Sequence, residues 1–213
     1  MRLAARSPRD EVRDEDPLIA HSSLFRQILN VTDTVAHNDC VVLIEGESGT
    51  GKELLARRIH TRSPRRDGPF IPVNCPSISE GLFESQFFGH VKGAFTGAEG
   101  DTLGVVRAAA GGSLLLDEVG DLDLHLQPKL LRLLQEREVT PVGATQPIAV
   151  DVRFIASTNC SLARAVSEGD FRADLYHRLN IVRIEVPPLR SRPEDIEPLI
   201  DFYLDDFAET YHM

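Results

Sequence analysis

Short apolar segments alternate with helical segments along most of the chain. A serine, Ser22 or Ser23, is placed to cap the first helix, and the apolar positions of that helix have helical spacing: Leu24, Ile28, Val31 and Val35. Apolar runs typical of strands occupy residues 40–45, 70–74, 113–117, 152–157 and 182–186. Further helices are predicted over residues 53–60, 124–138 and 194–211. This alternation predicts an α/β sandwich with a mainly parallel sheet.

The two ends of the chain depart from this alternation. Residues 1–16 mix arginine with acidic residues, contain few apolar side chains and are predicted to be a flexible leader. Pro187, Pro188 and Pro193 mark a linker, and the helix predicted after them has little chain beyond it to pack against. We therefore expect one main domain over residues 17–190, followed by an incomplete second unit over residues 191–213.

Composition and charge narrow the class of protein. The 213 residues are 42% hydrophobic and 26% charged, which is ordinary for a globular domain. A net charge of −10 gives no basic field for nucleic acid phosphates, so we expect no direct DNA binding by this chain. No apolar run approaches the roughly 18 residues that span a bilayer, and the N-terminal residues lack a continuous signal-peptide core. We therefore expect a cytoplasmic protein without a membrane partner.

The cysteines favour reduced thiols over a disulfide framework. Cys40, Cys75 and Cys160 are odd in number and widely spaced, so we expect them to be buried and free. Histidine and cysteine spacing typical of a zinc site is absent from the sequence, and no such site is predicted.

A glycine-rich segment lies between the first predicted strand and a predicted helix. Its Gly-x-x-x-x-Gly-Lys pattern would direct backbone N–H groups and a helix dipole at a polyphosphate, with Lys52 reaching the terminal phosphates. A plain turn is the alternative for any glycine-rich loop, and the strand and helix around this one favour nucleotide binding. Glu53 stands where a magnesium-ligating Ser or Thr is usual. The predicted nucleotide-binding residues are Gly46, Glu47, Ser48, Gly49, Thr50, Gly51, Lys52 and Glu53.

Polar residues end three of the other predicted strands. Asp117 and Glu118 follow a leucine run, and parallel strands bring their carboxyl ends to one edge, so both should approach the glycine-rich loop. Asp117 would hold Mg²⁺, and Glu118 would polarise an attacking water. Asn74 and Asn159 end neighbouring strands, where each is either a site residue or a cap.

Two further segments have chemistry that the sequence pattern alone leaves open. Arg172 and Arg178 lie nearly two helical turns apart, and they would either reach the nucleotide of a neighbouring subunit or pair with Asp170 and Asp174 on the surface. The segment Gly-Ala-Phe-Thr-Gly-Ala over residues 93–98 is a poor core segment, and it would form either a mobile tip or a turn with its aromatic residue tucked beneath it.

Together these motifs resemble the central AAA+ ATPase domain of bacterial enhancer-binding proteins, the activators of sigma-54 RNA polymerase. The resemblance runs from about residue 18 to 196 and is carried by residues 46–53, 93–98, 116–118, 171–179 and 187–190. It implies a three-layer AAA+ P-loop NTPase sandwich, truncated at the start of the helical lid, with ATP and Mg²⁺ as cofactors. It also accounts for Glu53, because the family carries glutamate at that place.

The resemblance implies further roles for residues of this chain. Asn74 would restrain Glu118, Asn159 would sense the γ-phosphate, and Arg172 with Arg178 would act in trans within a ring, expected to be hexameric. Phe95 and Thr96 would contact sigma-54 when hydrolysis moves their loop. The whole loop is included in the predicted partner-binding residues: Gly93, Ala94, Phe95, Thr96, Gly97 and Ala98.

Three departures from the family pattern stand near the loop, and three functional hypotheses follow. Gln86, Val91 and Ala110 occupy positions where the family usually has acidic residues, which would affect loop positioning and not the catalytic set.

The first hypothesis is an ATPase that remodels sigma-54 polymerase closed complexes, with weak activity in the isolated chain. The second is a non-catalytic nucleotide-binding module that joins rings of intact homologues. The third, another AAA+ machine such as a helicase loader, is disfavoured by the Phe95 loop.

Overall fold

The computed structural model describes residues 18–78 and 80–211, and no side chain is described for Glu80. The leader predicted over residues 1–16 lies outside this part of the chain. The strands are β1 Val42–Glu45, β2 Phe70–Asn74, β3 Ser113–Asp117, β4 Glu138–Val139, β5 Ile148–Ala149, β6 Arg153–Thr158 and β7 Val182–Glu185. The helices are α1 Ser23–Ala36, α2 Lys52–Thr61, α3 Glu80–Phe88, α4 Val105–Ala108, α5 Gln127–Glu136, α6 Leu162–Glu168, α7 Ala173–Leu179 and α8 Ile196–Tyr211.

Five strands form a parallel sheet in the order β2-β3-β6-β1-β7, while β4 and β5 form a separate antiparallel pair. The predicted mainly parallel sheet is therefore confirmed. Since β6 alone separates β1 from β3, the loop after β1 and the residues after β3 lie on the same edge of the sheet, close to each other. The outer strands are β2, which contains Pro72, and β7, which carries Arg183 and Glu185.

Alternate residues of the strands supply two apolar layers, one on each face of the sheet. Leu114 and Phe154 belong to the layer shared with Phe83, Phe87 and the leucines of α5. Val42, Ile44, Leu115 and Ile155 face the other layer, together with side chains of α1 and α2. Burial of each such side chain stabilises the fold by about 1.5–3 kcal/mol. Helices therefore cover both faces, which confirms the three-layer sandwich.

The strand predictions are confirmed with small shifts of their ends. The segment predicted over 40–45 pairs only from Val42 onward, and the one predicted over 152–157 runs Arg153–Thr158. The helix predicted over 124–138 is shorter at both ends, Gln127–Glu136, because Pro128 belongs to its first turn and Arg137 takes a left-handed φ of 57°. Short 3₁₀ turns lie at Cys75–Ser77, Val119–Asp121, Leu189–Ser191 and Pro193–Asp195.

The apolar positions predicted for α1 do not all face the core. Leu24 and Val31 are 43% and 46% exposed, whereas Phe25, Thr32, Val35 and Ala36 are buried. The helix is turned so that Phe25 enters the layer against α2, which leaves Leu24 and Val31 on the outer side.

The last helix, α8, has no buried residue in the structure. Tyr203 and Phe207 are exposed, and Leu199 is half-buried. Among the cysteines, all of which are free, Cys75 is buried whereas Cys40 and Cys160 are half-buried, so the burial predicted for all three is found fully only at Cys75. Burial raises the pKa of the Cys75 thiol to about 12. In residues 18–78 and 80–211, no helix is both long and apolar enough to cross a membrane.

Candidate functional site

The loop between β1 and α2 depends on glycine at several positions. Gly49 and Gly51 have φ values of 78° and 95°, a left-handed conformation that side chains with a Cβ disfavour. A Cβ on Gly46 would lie 2.8 Å from the carbonyl oxygen of Val186. Thr50 closes the loop, because its backbone N–H and its hydroxyl both donate to Glu47 O, at 3.3 and 2.8 Å. The backbone therefore wraps tightly around the start of α2.

Lys52 is the first residue of α2, and its side chain is only 6% exposed. Its Nζ donates to Gly46 O at 3.0 Å and to Glu47 O at 3.3 Å, and it lies 3.4 Å from Glu118 Oε1. The unpaired N–H groups at the start of α2 and the positive end of its dipole lie beside this ammonium group. The arrangement is suited to bind a polyanion.

Asp117 and Glu118 lie at the end of β3, opposite Lys52. Asp117 Oδ1 accepts a hydrogen bond of 2.6 Å from the hydroxyl of Ser157 on β6. Glu118 has φ 52° and ψ 48°, a left-handed conformation that is rare outside glycine and costs about 1–3 kcal/mol. This conformation directs its carboxylate to two partners, Lys52 at Oε1 and the backbone N–H of Asn159 at Oε2, the latter at 2.8 Å.

These groups line one open cleft. Its lining residues are Ser48, Gly49, Gly51, Lys52, Glu53, Asp117 and Glu118. The structure thus brings together the predicted loop and the two predicted carboxylates. Glu53 forms an ion pair of 3.2 Å with Arg57 one turn further along α2, on the exposed side of the cleft.

The two predicted asparagines have different contacts in the structure. The Asn74 side chain accepts from Ser77 N at 3.1 Å and thereby caps the 3₁₀ turn that follows β2. The described contacts of the Glu118 carboxylate are with Lys52 and Asn159, and not with Asn74. Asn159 contacts Glu118 through its backbone N–H and not through its side-chain amide.

The two predicted arginines lie on α7 and at its start. Arg172 forms an exposed ion pair of 2.8 Å with Asp174, and Arg178 donates to Leu134 O at the end of α5. In the described residues their hydrogen bonds and ion pairs do not involve the cleft. The Arg172–Asp174 pair is the surface arrangement that the sequence left open.

Two arginines without a predicted role connect the loop to the segment before α8. Arg190 donates to both carboxylate oxygens of Glu47 and holds the pKa of that carboxyl below its usual value. The buried Arg192 donates to Thr50 O at 3.1 Å. The sequence signal for Arg190 was its place in the Pro-Pro-Leu-Arg motif over residues 187–190. Arg192 had none, because it meets Thr50 only in the folded chain.

The segment over residues 93–98 forms a compact tip. Gly93 N donates to Ala98 O at 2.9 Å, and Ala98 N donates to Phe95 O at 3.0 Å. Ala98 is buried, Thr96 is exposed, and Phe95 is 41% exposed, so the aromatic ring is neither fully tucked under the turn nor free of it. Its ring contacts that of His90, with the centroids 5.0 Å apart.

Comparison with known proteins identifies the class. The sequence model of the Sigma-54 interaction domain matches residues 18–185. The chain is 47% identical over 195 residues to the transcriptional regulatory protein FlbD of Caulobacter vibrioides, covering 92% of this chain and 43% of FlbD. It is 50% identical over 192 residues to the Nif-specific regulatory protein of Herbaspirillum seropedicae, covering 90% and 35%. The chain therefore belongs to the sigma-54 interaction domain family.

Solved structures support the fold. NtrX from Brucella abortus, crystallised in complex with ATP, has 39% identity and a TM-score of 0.83, covering 91% of this chain and 42% of NtrX. The Hsp104-ADP complex of S. cerevisiae, at 18% identity, a TM-score of 0.60 and coverage of 88% of this chain and 36% of that one, shares only the fold. The structural neighbours confirm the AAA+ P-loop NTPase fold, and the family match confirms the resemblance to sigma-54 activators. The chain spans less than half the length of FlbD and NtrX.

Proposed function

We propose that this chain is an ATP-hydrolysing domain that remodels sigma-54 RNA polymerase closed complexes and so starts transcription. The observation that carries the proposal is the contact of 3.4 Å between Lys52 Nζ and Glu118 Oε1, with Asp117 beside it. One cleft thus combines a cation for phosphate, a carboxylate for a metal ion and a carboxylate for water.

The residues of the cleft fit a nucleotide with its metal ion. Lys52 Nζ donates to the backbone carbonyls of Gly46 and Glu47. The charged oxygens of a polyphosphate are stronger hydrogen-bond acceptors for its ammonium group than these two carbonyls. The space where Gly49 and Gly51 would carry a Cβ is empty, with nothing within 4 Å, so no side chain obstructs the approach of a phosphate there. Asp117 has one oxygen bound to Ser157 and its other oxygen available to hold Mg²⁺ directly or through water. Bound Mg²⁺ would neutralise charge on the phosphates.

Glu118 is proposed to act as the residue that polarises the attacking water. Both of its oxygens are engaged in the structure, one by Lys52 and one by Asn159 N. When Lys52 turns from Glu118 toward phosphate oxygens, Oε1 becomes available to accept a hydrogen bond from water. Asn74 and Asn159 remain proposed as the switch for Glu118 and the γ-phosphate sensor.

Arg172 and Arg178 are proposed to act on the nucleotide of an adjacent copy. Neither bonds to the cleft of its own chain in the described structure, and an arginine supplied in trans contributes on the order of a thousandfold or more in rate. The proposal therefore includes a homo-oligomeric ring, taken to be hexameric from the family resemblance. Residues 17–190 would form the ATPase domain, and residues 191–213 would begin the lid.

The loop over residues 93–98 is the proposed contact with sigma-54. Phe95 and Thr96 form its exposed tip, and the compact turn between Gly93 and Ala98 presents them together with Ala94 and Gly97. Hydrolysis would be coupled to this contact. With a net charge of −10, the chain is not proposed to bind DNA itself.

The direct test combines turnover with partner binding. Phosphate release is measured over a range of protein concentrations, and binding to purified sigma-54 is measured with ADP–aluminium fluoride, ADP or no nucleotide. Turnover that rises with assembly, and sigma-54 binding that depends on the transition-state analogue, are the expected results. ATP binding without turnover in any assembly, including mixtures with a full-length relative, would instead establish a non-catalytic module.

A further inference from the structure

The loop over residues 93–98 stands on a base where three backbone segments meet at His90. His90 N donates to Thr102 O at 3.1 Å, and Thr102 N donates back to His90 O at 2.8 Å. Val142 N, in the connection between β4 and β5, donates to Gly89 O at 2.9 Å. The base is thus hydrogen-bonded to Thr102, which follows the loop, and to Val142 in the connection between β4 and β5.

Two glycines allow this base to be compact. Gly89 and Gly104 have φ values of 86° and 77°. A Cβ on Gly89 would lie 2.4 Å from Thr102 O, and a Cβ on Gly104 would lie 2.4 Å from Gly89 N. Backbone therefore packs directly on backbone in this base, beneath residues 93–98.

The imidazole of His90 is fixed from two sides. Its Nδ1 lies 2.7 Å from the hydroxyl of Ser85 on α3, and its Nε2 lies 3.3 Å from the hydroxyl of Thr102. A hydroxyl both donates and accepts, so Ser85 and Thr102 satisfy either neutral tautomer of the ring. The plane of the imidazole is therefore set by α3 and by the returning side of the loop.

Phe95 packs on this imidazole. The ring centroids are 5.0 Å apart and the planes meet at 61°, an edge-to-face arrangement of the kind that aromatic pairs prefer. Gly93 and Gly97, on either side of the tip, have no atom within 4 Å of the place where a Cβ would stand. The two glycines therefore have open space beside them, whereas Ala94 lies against Gly143 in the connection between β4 and β5, and Ala98 is buried. His90 supplies the aromatic contact of the Phe95 ring itself.

We propose that His90 is the positioning residue of this loop, which holds the Phe95 ring against the base until a partner takes it. The inference rests on the proposed function, in which Phe95 and Thr96 contact sigma-54. The part of the Phe95 ring that His90 covers is not available to a partner, so His90 and sigma-54 compete for it. Loss of one edge-to-face contact shifts such an equilibrium between about twofold and tenfold.

The first test follows the position of the tip without any partner. The chain contains no tryptophan, so Phe95→Trp provides a single fluorescent reporter at the tip. In that background, His90→Asn keeps a group that can bond to Ser85 but removes the ring, and we expect lower anisotropy and roughly twofold greater quenching by acrylamide. His90→Phe restores an aromatic partner and should return both values toward those of the reporter protein.

Controls separate positioning from loss of the fold. His37→Asn, at an exposed histidine that follows α1, should leave the reporter unchanged. The melting temperature and ATP affinity should be the same in every variant. An unchanged anisotropy in His90→Asn, or a changed anisotropy that His90→Phe does not restore, overturns the inference.

The second test uses purified sigma-54 and the chain with its natural Phe95. With ADP–aluminium fluoride present, we expect His90→Asn to bind sigma-54 between about twofold and tenfold more tightly than the parent, because the competing contact is gone. Equal or weaker binding by the variant overturns the inference. If the parent chain binds no sigma-54 under any nucleotide condition, the proposed function fails, while the anisotropy still determines whether His90 positions residue 95.

Discussion

Replacing Lys52 with alanine removes the ammonium group that lines the cleft. The contacts of this group allow the loss of stability and the loss of ATP affinity to be worked out separately. The group contacts Gly46 O at 3.0 Å, Glu47 O at 3.3 Å and Glu118 Oε1 at 3.4 Å. The cleft is open, so water replaces the ammonium group at these acceptors in the variant. We therefore expect the free energy of unfolding to fall by only about 1–2 kcal/mol.

The affinity for ATP should fall much further. A hydrogen bond to a charged group contributes about 1.5–3 kcal/mol, which corresponds to a loss of about tenfold to 150-fold in affinity. Isothermal titration calorimetry at fixed ionic strength measures this loss, because screening alters charge interactions. Lys129→Ala is the matched control, since Lys129 forms its ion pair with Glu84 on the surface, and there both quantities should stay near the parent values.

Two results would refute this reasoning. ATP binding by Lys52→Ala as tight as by the parent would mean that Lys52 does not contact phosphate and that the site assignment is wrong. A loss of stability above about 3 kcal/mol would show that the ammonium group is needed for the fold itself. Leaving a buried charge without its partner lowers the free energy of unfolding by about that much or more.

The remaining predictions concern turnover and partner contact. Glu118→Gln should bind ATP like the parent and lose at least about a hundredfold in phosphate release, because the carboxylate that polarises water is gone. Thr96→Ala should leave the melting temperature and ATP affinity unchanged and abolish sigma-54 binding in the presence of ADP–aluminium fluoride. Arg172→Ala and Arg178→Ala should each lower phosphate release by on the order of a thousandfold, and mixing either variant with Glu118→Gln copies should restore part of it.

Each of these predictions has a contrary outcome. Normal turnover by Glu118→Gln would remove it from the catalytic set, and a large fall in melting temperature for Thr96→Ala would favour a buried turn. Activity in the arginine variants that no mixing changes, or parent activity independent of protein concentration, would point to a site complete within one copy.

The sequence predicted best those parts of the site whose residues are adjacent in the chain or end neighbouring strands. The loop up to Lys52 is continuous in the chain, and the convergence of Asp117 and Glu118 upon it follows from the parallel sheet, which the apolar runs already indicated. The left-handed backbone of Glu118 was not predicted, because it depends on Lys52 and Asn159 holding the carboxylate from other elements.

Other features escaped prediction for different physical reasons. The pairs Glu47–Arg190 and Thr50–Arg192 join residues more than a hundred positions apart, which no local pattern encodes. The strands β4 and β5 have two residues each, too short for a detectable alternation. In α1 the apolar spacing was correct for a helix, but Leu24 and Val31 lie outward because Phe25 occupies the inner position.

The composition of the two outer strands limits how this domain can associate. Pro72 deprives β2 of one backbone donor, and the charged Arg183 and Glu185 stand on β7. Neither edge strand is therefore well suited to form backbone hydrogen bonds with a strand from another molecule. Assembly of many copies at high local concentration can then proceed through helices and loops, without competition from the edge-to-edge pairing that leads to fibres.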